Sequence, residues 1–99
     1  MGIILKTQVD ENSYLTNYGF KKDEPYIYSR WYRLNSLYDM LVTVNILSER
    51  VNFYIEYNCG GEVASEDISW ADEHISIEDE KSFIEWLDEE ATEFAEVYM

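Results

Sequence analysis

The sequence has 99 residues, of which 46% are hydrophobic and 16% aromatic, and this composition predicts one folded domain, residues 1–99, rather than a disordered chain. Its formal net charge of −14 excludes direct binding to DNA, RNA or anionic lipid as the main activity, because phosphate groups are bound by Lys and Arg. The single cysteine, Cys59, excludes an internal disulfide and favours a reducing compartment, so we expect a cytoplasmic protein.

The first predicted elements are a short strand at residues 3–9 and a short helix that follows it. Asp10 is a favoured N-cap residue, and Gly19 stands where a helix typically ends, at the C′ position. The apolar run at the N-terminus is too short for a signal peptide, and no segment approaches the roughly 20 apolar residues of a membrane-spanning helix. We therefore expect no membrane association.

The middle of the sequence predicts an antiparallel sheet. An aromatic-rich strand is expected at residues 26–34, and residues 38–47 and 51–59 alternate apolar with polar side chains as half-buried strands do. A short turn at residues 48–50 joins the last two strands into a hairpin. Residues 62–75 have no firm period, and they are predicted as a loop with a brief strand or turn.

The C-terminal segment predicts an amphipathic helix from residue 77 to about residue 98. Ser76 is an expected N-cap residue, and Asp79 follows it at the spacing of a capping box. The apolar residues that recur with helical spacing are Phe83, Ile84, Leu87, Ala91, Phe94, Ala95 and Tyr98. The predicted fold class is therefore α+β, a three- or four-stranded antiparallel sheet with a C-terminal amphipathic helix packed on one face.

The charge is distributed very unevenly along the chain. Residues 1–50 contain six acidic and six basic residues, whereas residues 51–99 contain fifteen acidic residues and one base, Lys81. Like-charged pairs four residues apart on a helix each cost about 0.2–0.5 kcal/mol, so a helix selected for stability alone would carry more bases. We expect this region to bind a basic partner, with Trp70 as an exposed apolar anchor. The predicted partner-binding residues are Glu66, Asp67, Trp70, Asp72, Glu73, Glu85, Glu89, Glu93 and Glu96.

In size, charge and anionic helix, residues 62–96 resemble the small acidic inhibitors that imitate DNA, including phage anti-CRISPR and anti-restriction proteins. They are also similar to the acidic immunity proteins that block nuclease toxins. The resemblance is one of composition and covers about a third of the chain. It implies a non-enzymatic inhibitor or binding module that occupies a basic, nucleic-acid-binding surface of a partner such as a nuclease by phosphate mimicry.

A second function stays open at this point. The protein would be an accessory or oligomerisation module that contacts partners through its sheet, with an acidic face that serves solubility alone. The aromatic strand supports two interpretations of its own. One is a stacking platform for single-stranded nucleic acid, but such strands more often supply core residues and cross-strand pairs. The residues concerned are Tyr26, Tyr28, Trp31 and Tyr32 with Arg30 and Arg33.

Enzymatic function is disfavoured by the residues that the sequence lacks. His74 is the only histidine, and it has no partner at the spacing of a zinc-binding HEXXH motif. The acidic clusters do not follow the order of a calcium-binding loop, and Gly60-Gly61 is not part of a phosphate-binding GxxxxGK[ST] motif. We therefore expect no catalytic residue, no metal site and no cofactor.

Overall fold

A computed structural model describes residues 15, 16, 18–74 and 80–99. In this part of the chain, five antiparallel strands form one sheet in which each strand pairs with the next, and one helix follows. The elements are β1 (Lys21–Glu24), β2 (Ile27–Arg33), β3 (Tyr38–Asn45), β4 (Arg50–Tyr57), β5 (Glu62–Ser69) and α1 (Glu80–Glu96).

The α+β class is confirmed, as is the antiparallel sheet with a C-terminal helix, but the predicted number of strands is too low. The predicted strand at residues 3–9, the N-cap Asp10 and the capping box at residues 76–79 lie outside the described residues. No described helix has the length and apolar character needed to cross a membrane.

The β3–β4 hairpin is confirmed, with a turn that begins earlier than predicted. Asn45 pairs with Arg50, so residues 46–49 form the connection and Arg50 belongs to β4. The Asn45 side-chain oxygen accepts hydrogen bonds from the backbone N–H groups of Leu47 and Ser48, both at 3.0 Å. An asparagine side chain in this role imitates a backbone turn, and this is why the connection starts at Asn45.

Two edge strands were not predicted. The strand β5 pairs with β4 from Ser69 opposite Arg50 to Ala64 opposite Ile55, where a loop with at most a brief strand was expected. Only four of its eight residues are partly buried, and the acidic residues between them interrupt the alternation. All four residues of β1 are exposed. Both strands are therefore held mainly by backbone pairing, which leaves no apolar period in the sequence.

The hydrophobic core lies between α1 and one face of the sheet. At the C-terminal end of the helix, Phe94 lies 6.0 Å from Phe53 of β4, and Tyr98 contacts Tyr38 edge-to-face at 5.8 Å. Phe83 lies at the opposite end, near the β3–β4 turn, so α1 runs in the direction of β4. The buried residues of this core are Leu15, Phe20, Tyr28, Met40, Val42, Val44, Val51, Phe53, Ile55, Trp70, Phe83, Ile84, Trp86, Leu87, Ala91 and Ala95.

The predicted helix end at Gly19 is confirmed by its hydrogen bonds. Phe20 N–H donates to the Leu15 carbonyl at 3.0 Å and Gly19 N–H donates to the Thr16 carbonyl at 3.1 Å, which is the Schellman pattern. Gly19 has a φ of +90°, and a Cβ at this position would lie 3.2 Å from the Arg30 side chain. Glycine is favoured here because other residues rarely adopt this conformation.

Candidate partner-binding surface

The outward side of α1 is lined with carboxylates. Its apolar stripe faces the sheet, so the residues on the opposite side of the helix project into solvent. Residues four apart are separated by about 6 Å along a helix axis, which places successive carboxylates in a row. Lys81 is the only cation in the helix, and no basic residue lies in its last turn. The exposed acidic residues of α1 are Glu85, Asp88, Glu89, Glu93 and Glu96.

Glu90 extends this row over the flank of the helix. It is partly buried, and its pKa is raised above the usual value first by burial and then by the carboxylates of Glu93, Glu73, Glu66 and Glu89. Glu90 was not among the predicted partner-binding residues, and on a helical wheel it lies next to the buried stripe. Glu66 belongs to β5 and Glu73 to the turn after it, so the acidic region continues from α1 onto the sheet edge.

Eight carboxylates on α1, on β5 and in the turn after β5 are called the acidic surface below. It includes six predicted residues and adds Asp88 and Glu90. Asp72, which was also predicted, is exposed in the same turn as Glu73. Among the described residues, none of the eight carboxylates forms an ion pair with Lys or Arg. The acidic surface consists of Glu66, Glu73, Glu85, Asp88, Glu89, Glu90, Glu93 and Glu96.

Asp67 is not part of the acidic surface, although it is adjacent to Glu66 in the sequence. Glu66 lies opposite Phe53, whose side chain faces the core, and successive residues of a strand point to opposite faces. Asp67 therefore lies on the other face of the sheet. There both of its oxygens accept hydrogen bonds from Arg50 Nε, at 2.9 and 3.0 Å.

The prediction that Trp70 is an exposed anchor is wrong. Its side chain is only 1% exposed, and its ring contacts Phe83 edge-to-face with 5.0 Å between the centroids. Trp70 follows β5 directly, and its backbone N–H donates to the Glu49 carbonyl at 3.1 Å. Its indole packs against Phe83 in the N-terminal part of α1, at one end of the core. Trp70 stabilises the fold and is not available to a partner.

The aromatic strand does not form a stacking platform. Tyr28 is buried in the core, and Tyr32 lies on the same side with the Arg30 guanidinium 4.4 Å from its ring centre. Burial raises the pKa of the Tyr32 hydroxyl above its usual value, Arg30 opposes this effect and Asp88 adds to it. Trp31 points to the opposite face. The expectation of core residues and cross-strand pairs therefore holds: Tyr28 and Tyr32 lie on the core side, and Trp31 pairs with Leu41 on the opposite face.

Within residues 18–74 and 80–99, no group of three or more His, Cys, Asp or Glu side chains is arranged to hold a metal ion. Comparison of the chain with protein-family models, with curated proteins and with solved structures finds no match.

Proposed function

We propose that the protein is a non-enzymatic inhibitor or binding module whose acidic surface occupies a basic, nucleic-acid-binding surface of a partner protein by imitating phosphate. This proposal rests on one observation: the negative charge of the acidic surface is not neutralised by ion pairs. Its carboxylates have no ion pair among the described residues, while Arg33 and Arg50 pair with Asp39 and Asp67 on the other side of the sheet.

The uncompensated row opposes folding. Glu85, Glu89 and Glu93 form two like-charged pairs four residues apart, each destabilising by about 0.2–0.5 kcal/mol. Glu96 adds negative charge at the C-terminus of α1, where the helix dipole disfavours it. A basic partner would reverse the sign of both effects, since its cations would lie between the carboxylates.

The geometry of the row suits a surface that binds a nucleic-acid backbone. Carboxylates four residues apart repeat about every 6 Å along the helix axis, compared with about 3.4 Å for the phosphates of one DNA strand. Glu66, Glu73 and Glu90 lie beside the row and increase its charge density. Such a field steers a basic partner over a distance and raises the association rate.

The test is the reversal of Glu85, Glu89 and Glu93 to Lys in one variant. All three side chains are exposed, so the fold should be retained. Basic proteins recovered on the immobilised wild type from a cell lysate would be purified and identified, and each would be titrated with both forms. We expect the variant to bind at least about tenfold more weakly, a loss of ~1.4 kcal/mol.

A matched control distinguishes the effect of where the charges lie from the effect of how many are reversed. Reversal of Glu24, Glu49 and Glu62 to Lys changes the same number of exposed carboxylates outside the acidic surface. Each triple reversal changes the net charge from −14 to −8, because each residue contributes two units. The control should retain most of the affinity. Equal affinity losses in both variants would mean that net charge alone drives binding, and the proposal would be wrong.

A further inference from the structure

The sheet face opposite α1 has an apolar centre. Trp31, Leu41 and Tyr54 are register neighbours on β2, β3 and β4, and they form a row across this face. Trp31 is 57% exposed, and Leu41 and Tyr54 are half-buried. No described helix covers the row, since α1 packs against the other face. The term open sheet face denotes this side of β1–β5.

Two ion pairs flank the apolar row. Arg33 Nε lies 2.7 Å from an Asp39 oxygen on one side, and Arg50 Nε lies 2.9 Å from an Asp67 oxygen on the other. An apolar centre with a polar rim is the usual composition of a protein interface. Exposed Trp is also enriched among the residues that contribute most to binding.

The open sheet face carries charges of both signs, in contrast to the acidic surface. Its three bases are offset by three of its acids, and Glu24, Glu56 and Glu62 at its corners remain without a counterpart. A two-fold interface places each residue against another position of the same face, so a face with both signs can set the bases of one copy against acids of the other. The offset residues are Lys21, Arg33 and Arg50 with Asp23, Asp39 and Asp67.

A second copy of the chain fits this face better than a strongly charged partner does. Two molecules of net charge −14 repel each other in most orientations, but contact between the open faces puts the two acidic surfaces on opposite outer sides. Layers of secondary structure stack about 10 Å apart, so about 30 Å would separate the two helices. This is about three Debye lengths or more at physiological ionic strength, and the repulsion is therefore largely screened.

The available area suits a weak dimer. Five strands spaced about 4.8 Å apart and about 27 Å long offer about 500 Å² on each copy. Two copies would bury about 1,000 Å² in total, near the lower limit for a specific interface. We infer that the protein forms a two-fold homodimer by stacking the open sheet faces of two copies, with Trp31, Leu41 and Tyr54 at the centre of the contact. This inference does not rest on the proposed function.

The test is sedimentation equilibrium over protein concentrations from about 1 µM to about 1 mM. The wild type should shift from monomer to dimer, and Trp31→Glu should weaken the association at least about tenfold by placing a charge in the apolar centre. Leu47→Glu is the matched control, because Leu47 is an apolar residue in the β3–β4 turn with 71% exposure. It adds the same charge away from the contact and should dimerise like the wild type.

Circular dichroism of each variant verifies its fold. If Trp31→Glu loses secondary structure, the neutral Trp31→Gln variant replaces it, and the same weakening is expected. Added salt should strengthen the wild-type dimer by screening the repulsion between two acidic chains. A wild type that stays monomeric at about 1 mM would overturn the inference. So would folded Trp31 variants that dimerise like the wild type, or a dimer that dissociates in salt.

Discussion

The acidic surface and the open sheet face both carry carboxylates, but the side chains around those carboxylates differ. On the open face, Asp39 and Asp67 each contact an arginine at 2.7–2.9 Å. On the acidic surface, Glu85 and Glu89 form no ion pair with any described residue. Eight carboxylates without an ion pair among the described residues thus lie together on one side of the sheet. The two surfaces therefore differ in whether their carboxylates are paired with bases, and both contain acidic residues.

The same comparison gives the two proposed contacts opposite responses to salt. Binding through the acidic surface is an attraction between unlike charges, so screening weakens it. Dimerisation through the open face buries an apolar row against a background of repulsion, so screening strengthens it. One salt series on both equilibria therefore separates the two surfaces without a mutation.

The largest expected effect concerns the two tryptophans that the sequence alone did not distinguish. Trp70→Ala should destabilise the protein by about 3–5 kcal/mol, because it removes a buried ring from its contact with Phe83. Trp31→Ala in dilute solution should change the free energy of unfolding by no more than about 0.5 kcal/mol. Urea denaturation measures both. Similar losses in the two variants would contradict the placement of Trp31 on an open face.

The next effect concerns the repulsion within the acidic surface. Raising NaCl to about 0.15 M should raise the melting temperature by about 4–8 °C for each kcal/mol of repulsion that is screened. The double variant Glu89→Gln, Glu93→Gln should show a smaller salt response than the control Glu24→Gln, Glu49→Gln. Thermal scans at several salt concentrations provide the comparison. A salt response that is the same in both variants would mean that the repulsion lies elsewhere.

A smaller effect is expected from Glu90, whose pKa is raised by burial and by neighbouring carboxylates. The folded state binds the Glu90 proton more tightly than the unfolded state does. The contribution of this group to the free energy of unfolding is therefore fully present below the unfolded pKa. It decreases as the pH rises through the folded pKa. Glu90→Gln should therefore raise stability at neutral pH by about 0.2–0.5 kcal/mol. It should also reduce the decline in stability from acidic to neutral pH.

Urea titrations at a series of pH values measure this effect, with Glu24→Gln as the control. Glu24 is exposed on the β1 edge, on the side of the sheet remote from β5. A stability gain at neutral pH that is equal in both variants would show that Glu90 experiences no special repulsion.

The smallest effect distinguishes two neighbours on β5. Glu66 belongs to the acidic surface, whereas Asp67 pairs with Arg50 on the open face. Glu66→Ala should weaken binding to a basic partner by about 0.2–1 kcal/mol, and Asp67→Ala should leave that affinity unchanged. Calorimetric titration of both variants tests this difference. A larger loss of affinity for Asp67→Ala would mean that the partner binds the open sheet face rather than the acidic surface.

The central hairpin could be predicted from the sequence because its signals are local. Val51, Phe53 and Ile55 alternate with polar residues, and this period by itself determines which side faces the core. The helix end at Gly19, which precedes β1, was also predictable, since Gly19 supplies the left-handed conformation that the chain requires there. The edge strands had no such signal, because their pairing depends on backbone hydrogen bonds to a neighbouring strand.

The acidic surface was only partly predictable for a similar reason. The exposed row on α1 follows from the helical period, and the prediction that Glu85, Glu89 and Glu93 face outward is confirmed. Glu66 and Asp67 lie on opposite faces of the sheet because of the register of β5, and β5 was not predicted as a full strand. The burial of Trp70 depends on a contact with α1 that is distant in the sequence, and no local pattern predicts it.

The most direct test of the central claim is a competition between this protein and nucleic acid for one partner. A basic protein recovered on the immobilised wild type would be loaded with a fluorescent DNA duplex, and anisotropy would be followed as the wild type is added. We expect the wild type to release the duplex and the control reversal to resemble it. The Glu85, Glu89, Glu93→Lys variant should release the duplex at least about tenfold less effectively. A complex in which the partner, the duplex and this protein are bound together would contradict phosphate mimicry.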